Sequence, residues 1–173
     1  MTKTRIVPLA VLLALLAAIA LPAWSAAAAP SSERDGTLLT WRGHDRKVTL
    51  PVDQTMMPGA PRSFRRFARA QLREIWITYL DKKPACKTSP TFYVQALRTD
   101  GFALGGVGTY PRPGCNTGGG YEAFWAIRHG EWKEVIGTQD VVECARLERV
   151  GFPSELGVHE CYDGHDVVPY SHA

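Results

Sequence analysis

Apolar and polar residues alternate through the middle and the C-terminal part of the chain, and this two-residue period predicts β-strands. Around Val94, for example, apolar positions alternate with Tyr93 and Gln95, so one face of that strand should be drier than the other. The predicted strands are Thr37–Trp41, Lys47–Leu50, Thr91–Arg98, Phe102–Tyr110, Tyr121–Ile127 and Trp132–Thr138. The predicted turns that join them in pairs are Gly43-His44-Asp45, Thr99-Asp100-Gly101 and Arg128-His129-Gly130-Glu131.

A period of three to four residues replaces this alternation from Arg62 to Leu80 and predicts a long amphipathic helix. Its apolar face would carry Phe64, Phe67, Ala68, Leu72, Ile75 and Tyr79. Its opposite face, here called the arginine face, would carry Arg62, Arg65, Arg66, Arg69 and Arg73. Pro84 should end the helix at the latest, because proline cannot continue the backbone hydrogen bonding.

A second, shorter helix is predicted in VVECARLERV, with Asp140 and Glu143 as a D-x-x-E cap at its start. Gly151 and Pro153 should stop this helix. The residues that follow Tyr162 are polar, which predicts a poorly ordered tail.

One long helix followed by four meandering strands predicts an α+β fold, with the helix packed on a curved antiparallel sheet and a short C-terminal helix tied by a disulfide. The element order from Arg62 to Thr138 resembles the cystatin and NTF2-like rolls. This resemblance implies a fold and transfers no functional residue.

The pattern at the N-terminus predicts an export signal. Ile6–Leu21 follows two basic residues and comprises 16 mostly apolar residues, fewer than the roughly 20 of a membrane span. Small residues around Ser25 fit a signal-peptidase site, although an uncleaved anchor is the alternative. The predicted organisation is a signal peptide at 1–25, a flexible leader at 26–36, one globular domain at 37–162 and a tail at 163–173. The chain is therefore predicted to be secreted or extracytoplasmic.

Removal of residues 1–25 would leave 18 basic and 17 acidic residues and lower the net charge from +3 to +1. A charge this small argues against nucleic acid as the partner. Four cysteines in an oxidising compartment predict two disulfides, for which three pairings are possible. The favoured pairing is Cys86–Cys115 with Cys144–Cys161. No C-x-x-C spacing suggests catalytic or metal-binding thiols, so structural disulfides are favoured over them.

Two surfaces are candidates for binding. The arginine face could hold phosphates, acidic glycans, an anionic envelope polymer or an acidic patch of an extracellular protein, and a merely solvated helix face is the alternative. A concave sheet face could bind a small ligand if polar groups such as Gln95 and Arg128 converge on it, and a packed core is the alternative. The aromatic residues that could line this face are Trp41, Trp76, Tyr79, Tyr93, Tyr121, Trp125 and Trp132.

Motifs for catalysis and cofactors are lacking. No G-x-S-x-G, P-loop or helix-opening G-x-G-x-x-G occurs, so no cofactor is predicted. His159 and His165 are close in sequence to Cys161 and two aspartates, but such a local cluster is a poor metal site. The sequence favours an exported, disulfide-stabilised binding module of unknown ligand. One alternative is a small enzyme using groups such as Asp100, Glu122, His129 and Glu134, and another is a protease inhibitor that presents the loop Pro111–Gly118.

Overall fold

An antiparallel sheet lies at the centre of the fold. A computed structural model describes residues 36–52, 55–80, 90–108 and 120–173, all of which belong to one compact unit that spans Arg34–Ala173. The strands are β1 (Leu38–Thr40), β2 (Lys47–Val48), β3 (Thr91–Arg98), β4 (Phe102–Gly108), β5 (Tyr121–Arg128), β6 (Glu131–Thr138), β7 (Glu160–Tyr162) and β8 (Val167–Pro169). The helices are α1 (Arg62–Ile75) and α2 (Cys144–Val150). The predicted signal peptide, Cys86, Cys115 and the loop Pro111–Gly118 lie outside the described residues.

The main sheet has the strand order β1-β3-β4-β5-β6, and β2 also pairs with β3. Leu38 pairs with Arg98 and Lys47 pairs with Tyr93, so β1 and β2 follow one another along the same edge of β3. A 3₁₀ turn at Gly43–Arg46 connects them. The two predicted N-terminal strands are thus present but shorter than expected, and they pair with β3 instead of with each other.

Both predicted central hairpins are confirmed. In the β5–β6 turn, His129 and Gly130 have φ values of 54° and 82°, as a two-residue turn of the primed type requires. The pairing of β3 with β4 skips Gln95, and the pairing of β5 with β6 skips Val135. Each skipped residue forms a β-bulge, which bends its strand, β3 or β6, and exchanges the faces that the side chains on either side of it occupy.

Helix α1 covers the first face of the sheet. Phe64, Ala68 and Leu72 are buried against it, as the period of the sequence predicts. Beneath them, the ring of Trp125 stacks on that of Phe92, with centroids 4.8 Å apart. This core also contains the buried Trp41, Val48, Met57, Val94, Leu97 and Trp132.

Helix α1 is shorter than predicted. It ends at Ile75, and Trp76–Leu80 continue as one π-helical turn. The sequence ITYL after Trp76 contains β-branched and aromatic side chains, which lose rotamer freedom in an α-helix. The wider turn at this end is consistent with that crowding.

The C-terminal segment, residues 139–173, covers part of the second face. Phe152 and Leu147 are fully buried there against Phe124. The predicted cap at Asp140 and Glu143 is wrong, because α2 begins at Cys144 and no side chain caps it. Gly151 adopts φ 58° and ends α2 as predicted.

The residues after Tyr162 are ordered, contrary to the predicted tail. Strand β8 pairs with β7. Tyr170 is buried, and its hydroxyl donates a hydrogen bond of 2.7 Å to the carbonyl oxygen of Phe152. Tyr170 and the partly buried Val168 pack on the second-face core and anchor this stretch, which composition alone does not show.

The predicted disulfide between Cys144 and Cys161 is confirmed, with their Cα atoms 5.0 Å apart. It joins α2 to β7 within the C-terminal segment. The fold is therefore α+β, with an antiparallel sheet, one amphipathic helix on its first face and a disulfide-tied segment on its second.

Candidate functional site

The arginine face of α1 points away from the sheet. Arg62, Arg66, Arg69 and Arg73 are exposed and Arg65 is half-buried. Arg69 donates a hydrogen bond of 2.8 Å from Nη2 to the carbonyl oxygen of Val52, which fixes its side chain against the preceding loop. The side chains of the other four make no hydrogen bond or ion pair with any described residue. Glu74 is the only acidic residue of α1.

Acidic residues collect on the other side of the sheet. The C-terminal segment contains seven acidic and two basic residues, whereas residues 36–80 contain eight basic and three acidic ones. The ion pairs within the described part of the chain join Arg98 to Asp100 and Glu155, and Lys133 to Glu131. Because none of them involves α1, its positive charge is not neutralised by the described residues.

A groove of about 760 Å³ opens on the second face of the sheet, beside the C-terminal segment. Its lining consists of Tyr93, Gln95, Gly105, Gly106, Val107, Gly108, Gly120, Tyr121, Glu122, Thr138, Gln139, Asp140 and Val141. This volume lies within the range of typical ligand pockets, roughly 300–1,000 Å³.

The pairing of β3 to β6 explains where the groove forms. Tyr93 pairs with Gly106, Gly106 with Glu122, and Glu122 with Thr138. Cross-strand partners share a face, so the side chains of this row point away from α1. Gly106 has no side chain and leaves the middle of the row open, since the C-terminal segment covers only the continuation of this face around Leu104 and Phe124.

Of the residues predicted for a ligand-binding sheet face, Tyr93, Gln95 and Tyr121 line this groove, although the Tyr121 hydroxyl is bonded to Glu134 on the first face. Trp125 does not, because it lies on the first face and is fully buried beneath α1. Arg128 lies at the opposite end of β5, where Nη2 donates a hydrogen bond of 2.6 Å to the carbonyl oxygen of Val150. The other tryptophan side chains buried on the first face, Trp41 and Trp132, are core residues as well.

Sequence reasoning missed Thr138 and Asp140 as lining residues. It also missed the glycine floor of the groove, which Gly105, Gly106 and Gly108 of β4 form. The available signal was GGVG within β4, because glycines inside a strand often mark a place where the backbone is approached closely. Asp140 was assigned to a helix cap. It instead follows β6 in a turn in which its backbone N–H donates a hydrogen bond of 3.0 Å to Thr138 Oγ1.

Glu122 is the acidic residue in the central row of the groove. Its side chain reaches solvent, yet partial burial raises the pKa of its carboxyl group above the ordinary value of 4.5. It forms no hydrogen bond with a described residue that could offset this desolvation. Glu122 therefore keeps an unpaired carboxylate at a cost in stability, a property that is common at functional sites.

We expect Glu122→Gln to raise the melting temperature at pH 7. Because the pKa of Glu122 is raised in the folded state, the folded protein binds this proton more tightly than the unfolded chain does. The stability of the wild type relative to the variant should therefore fall as the pH rises through the ordinary pKa towards the raised one. Thermal melts of both proteins between pH 4 and pH 7 measure this difference.

Glu160→Gln is the matched control, since it makes the same charge change at an exposed position of β7. If the difference in melting temperature between Glu122→Gln and the wild type did not change with pH, the partial burial of the Glu122 carboxyl group would be contradicted.

Glu134 lies on the first face, opposite to Glu122. Burial raises its pKa, while a 2.9 Å hydrogen bond from the Tyr121 hydroxyl lowers it. The buried indole nitrogen of Trp125, Nε1, also lowers the pKa of Glu134. It has no hydrogen-bond acceptor among the described residues. The tyrosine thus partly offsets the burial of this carboxylate.

The four candidate acid–base residues are not brought together. Glu122 and Glu134 lie on opposite faces of the sheet, and Asp100 is paired with Arg98 at 2.6 Å. His129 is exposed in the β5–β6 turn. The described residues therefore contain no catalytic arrangement of these four groups.

Within the described ranges, no three His, Cys, Asp or Glu side chains are arranged to hold a metal ion. Cys161 is in the disulfide. Asp163 accepts hydrogen bonds from the backbone N–H groups of Asp166 and His165, which lower the pKa of its carboxyl group. In the same ranges, no helix has the length and apolar character needed to cross a bilayer.

Comparisons of the chain with protein-family models, with curated proteins and with solved structures found no match.

Proposed function

We propose that this chain is an exported binding module that holds an anionic polymer on the arginine face. The observation that supports this most directly is the set of four arginine side chains on α1 without a partner among the described residues. Seven of the 17 acidic residues lie in the C-terminal segment, on the other side of the sheet.

The spacing of the arginines suits a ligand with repeated charges. Arg62, Arg66 and Arg73 are all exposed and extend over three turns of α1, about 16 Å at 1.5 Å per residue. Guanidinium groups bind phosphate and carboxylate through paired hydrogen bonds. A polymer with an anionic group every few ångströms would contact several of these arginines at once and gain affinity from each.

The proposal includes two further points, export from the cytoplasm and a roll-type fold. The apolar N-terminal segment and the even number of cysteines support an oxidising compartment outside the cytoplasm. We take the packing of α1 on a meander of four strands as a roll of the cystatin or NTF2-like type. The packing of Phe64, Ala68 and Leu72 on the sheet fixes the backbone of α1, so little backbone entropy is lost when the arginine face binds.

We expect Arg66→Glu with Arg73→Glu to weaken binding to polyphosphate and to a sulfated glycan by at least about tenfold at low salt. Exposed charge pairs contribute roughly 0.5–1 kcal/mol each, and two reversals turn attraction into repulsion. Fluorescence anisotropy with labelled polymer measures the dissociation constant. Affinity of the wild type should also fall as salt increases.

The matched control is Lys133→Glu with Arg149→Glu, which changes the net charge equally at exposed positions outside α1. It should retain affinity within about threefold. Equal losses in the two double variants would mean that only net charge matters, and no salt-dependent binding by the wild type would end the proposal.

A further inference from the structure

We infer that the groove on the second face binds a small molecule that carries a guanidinium or a protonated amine. Two carboxylates, Glu122 and Asp140, line it, together with the ring of Tyr93. This site is separate from the arginine face, lies on the other side of the sheet and has the opposite charge preference.

The charge of the lining selects the ligand class. Its polar side chains include Gln95, Thr138 and Gln139 besides the two carboxylates, and none of the described lining residues is a lysine, arginine or histidine. Neither carboxylate forms a hydrogen bond or an ion pair with a described residue. An anionic ligand would be repelled here, whereas a cation would supply the missing partner.

The shape of the groove supports the same class. The ring of Tyr93 stands next to Gly108, where an added Cβ would lie 3.8 Å from the ring. An aromatic ring beside a glycine floor offers a flat surface on which a guanidinium or an alkyl stem can lie. Val141 adds an apolar edge and is 44 % exposed. The site therefore combines two carboxylates for the charge with an aromatic and aliphatic surface for the stem.

The raised pKa of Glu122 fits this role, because a bound cation would favour its ionised form. The other titratable side chains among its described lining residues are Asp140 and Tyr93, since the Tyr121 hydroxyl is bonded to Glu134 on the first face. Binding of a cation should weaken as the pH falls and Glu122 becomes protonated.

The test uses two probes of nearly equal shape, N-acetyl-arginine amide and N-acetyl-citrulline amide, of which only the first is charged. Binding is followed by NMR on the isotope-labelled protein at probe concentrations up to about 10 mM. We expect the arginine probe to shift the backbone amides of Gly106, Gly108 and Glu122. The citrulline probe should bind at least about fivefold more weakly.

Variants test the residues directly. Glu122→Gln should weaken binding of the arginine probe by about fivefold or more. Glu160→Gln, the same change at an exposed position of β7, should leave the binding unchanged. Val141→Lys places a positive charge at the exposed edge of the groove and should also weaken binding. This second variant tests the site even if Glu122→Gln does not fold.

The inference is overturned if the arginine probe does not bind, if both probes bind equally, or if the shifts occur only in β7 and β8. It is also overturned if Glu122→Gln and Val141→Lys both fold and leave the affinity unchanged. The variant Arg66→Glu with Arg73→Glu should bind the arginine probe as the wild type does, which separates this site from the arginine face.

Discussion

Gly105→Ala is expected to destabilise the protein by about 3 kcal/mol or more. A Cβ at this position would overlap the carbonyl oxygen of Tyr93 and lie 3.0 Å from the ring of Trp125. The bulge at Gln95 brings this part of β3 close to β4. Backbone and a fully buried tryptophan cannot move aside as a flexible side chain could.

Urea denaturation followed by tryptophan fluorescence measures this loss. Gly108→Ala is the matched control in the same strand, because its Cβ would lie 3.7 Å from the nearest atom, the Cα of Gly120. We expect it to change the stability by less than about 1 kcal/mol. Similar midpoints for Gly105→Ala and the wild type would show that β3 and β4 are not as close as described.

The double variant Cys144→Ala with Cys161→Ala is expected to lose about 3 kcal/mol of stability. The disulfide joins residues 17 positions apart, and a loop of about this length contributes roughly 3 kcal/mol in the chain-entropy model. For a domain of this size, the melting temperature should fall by about 10 °C. Alanine is preferred to serine because Cys161 is buried.

Differential scanning calorimetry with and without a reductant isolates the contribution of this disulfide. Without the reductant, the variant should melt well below the wild type. With it, the difference should shrink to the lost packing of the two sulfur atoms. A difference that is the same in both conditions would contradict a stabilising role for the covalent link.

The elements that local sequence determines could be predicted. The turn at His129 and Gly130 specifies its hairpin, since both residues adopt positive φ there. The apolar positions Phe64, Ala68 and Leu72 define one face of α1 by their spacing alone. The pairing of Cys144 with Cys161 followed from proximity along the chain, with the helix and loop between them.

The candidate groove could not be predicted, because it depends on contacts between distant residues. Strict alternation does not reveal the bulge in β3 or the way in which it exchanges the faces of that strand. Trp125 and Glu122 belong to the same strand, and only the positions of α1 and the C-terminal segment show that one is buried and the other borders the groove. Tyr170 likewise packs on a core that lies far from it in sequence.

The separation of basic and acidic residues across the sheet should determine the orientation of the folded chain on a charged matrix. Basic residues on α1 and acidic residues in the C-terminal segment give it an electric dipole directed across the sheet. Near a negatively charged matrix, this dipole would turn each molecule with its helix inward. We expect an adsorbed layer to be uniformly oriented, with the groove facing the medium and accessible to soluble molecules.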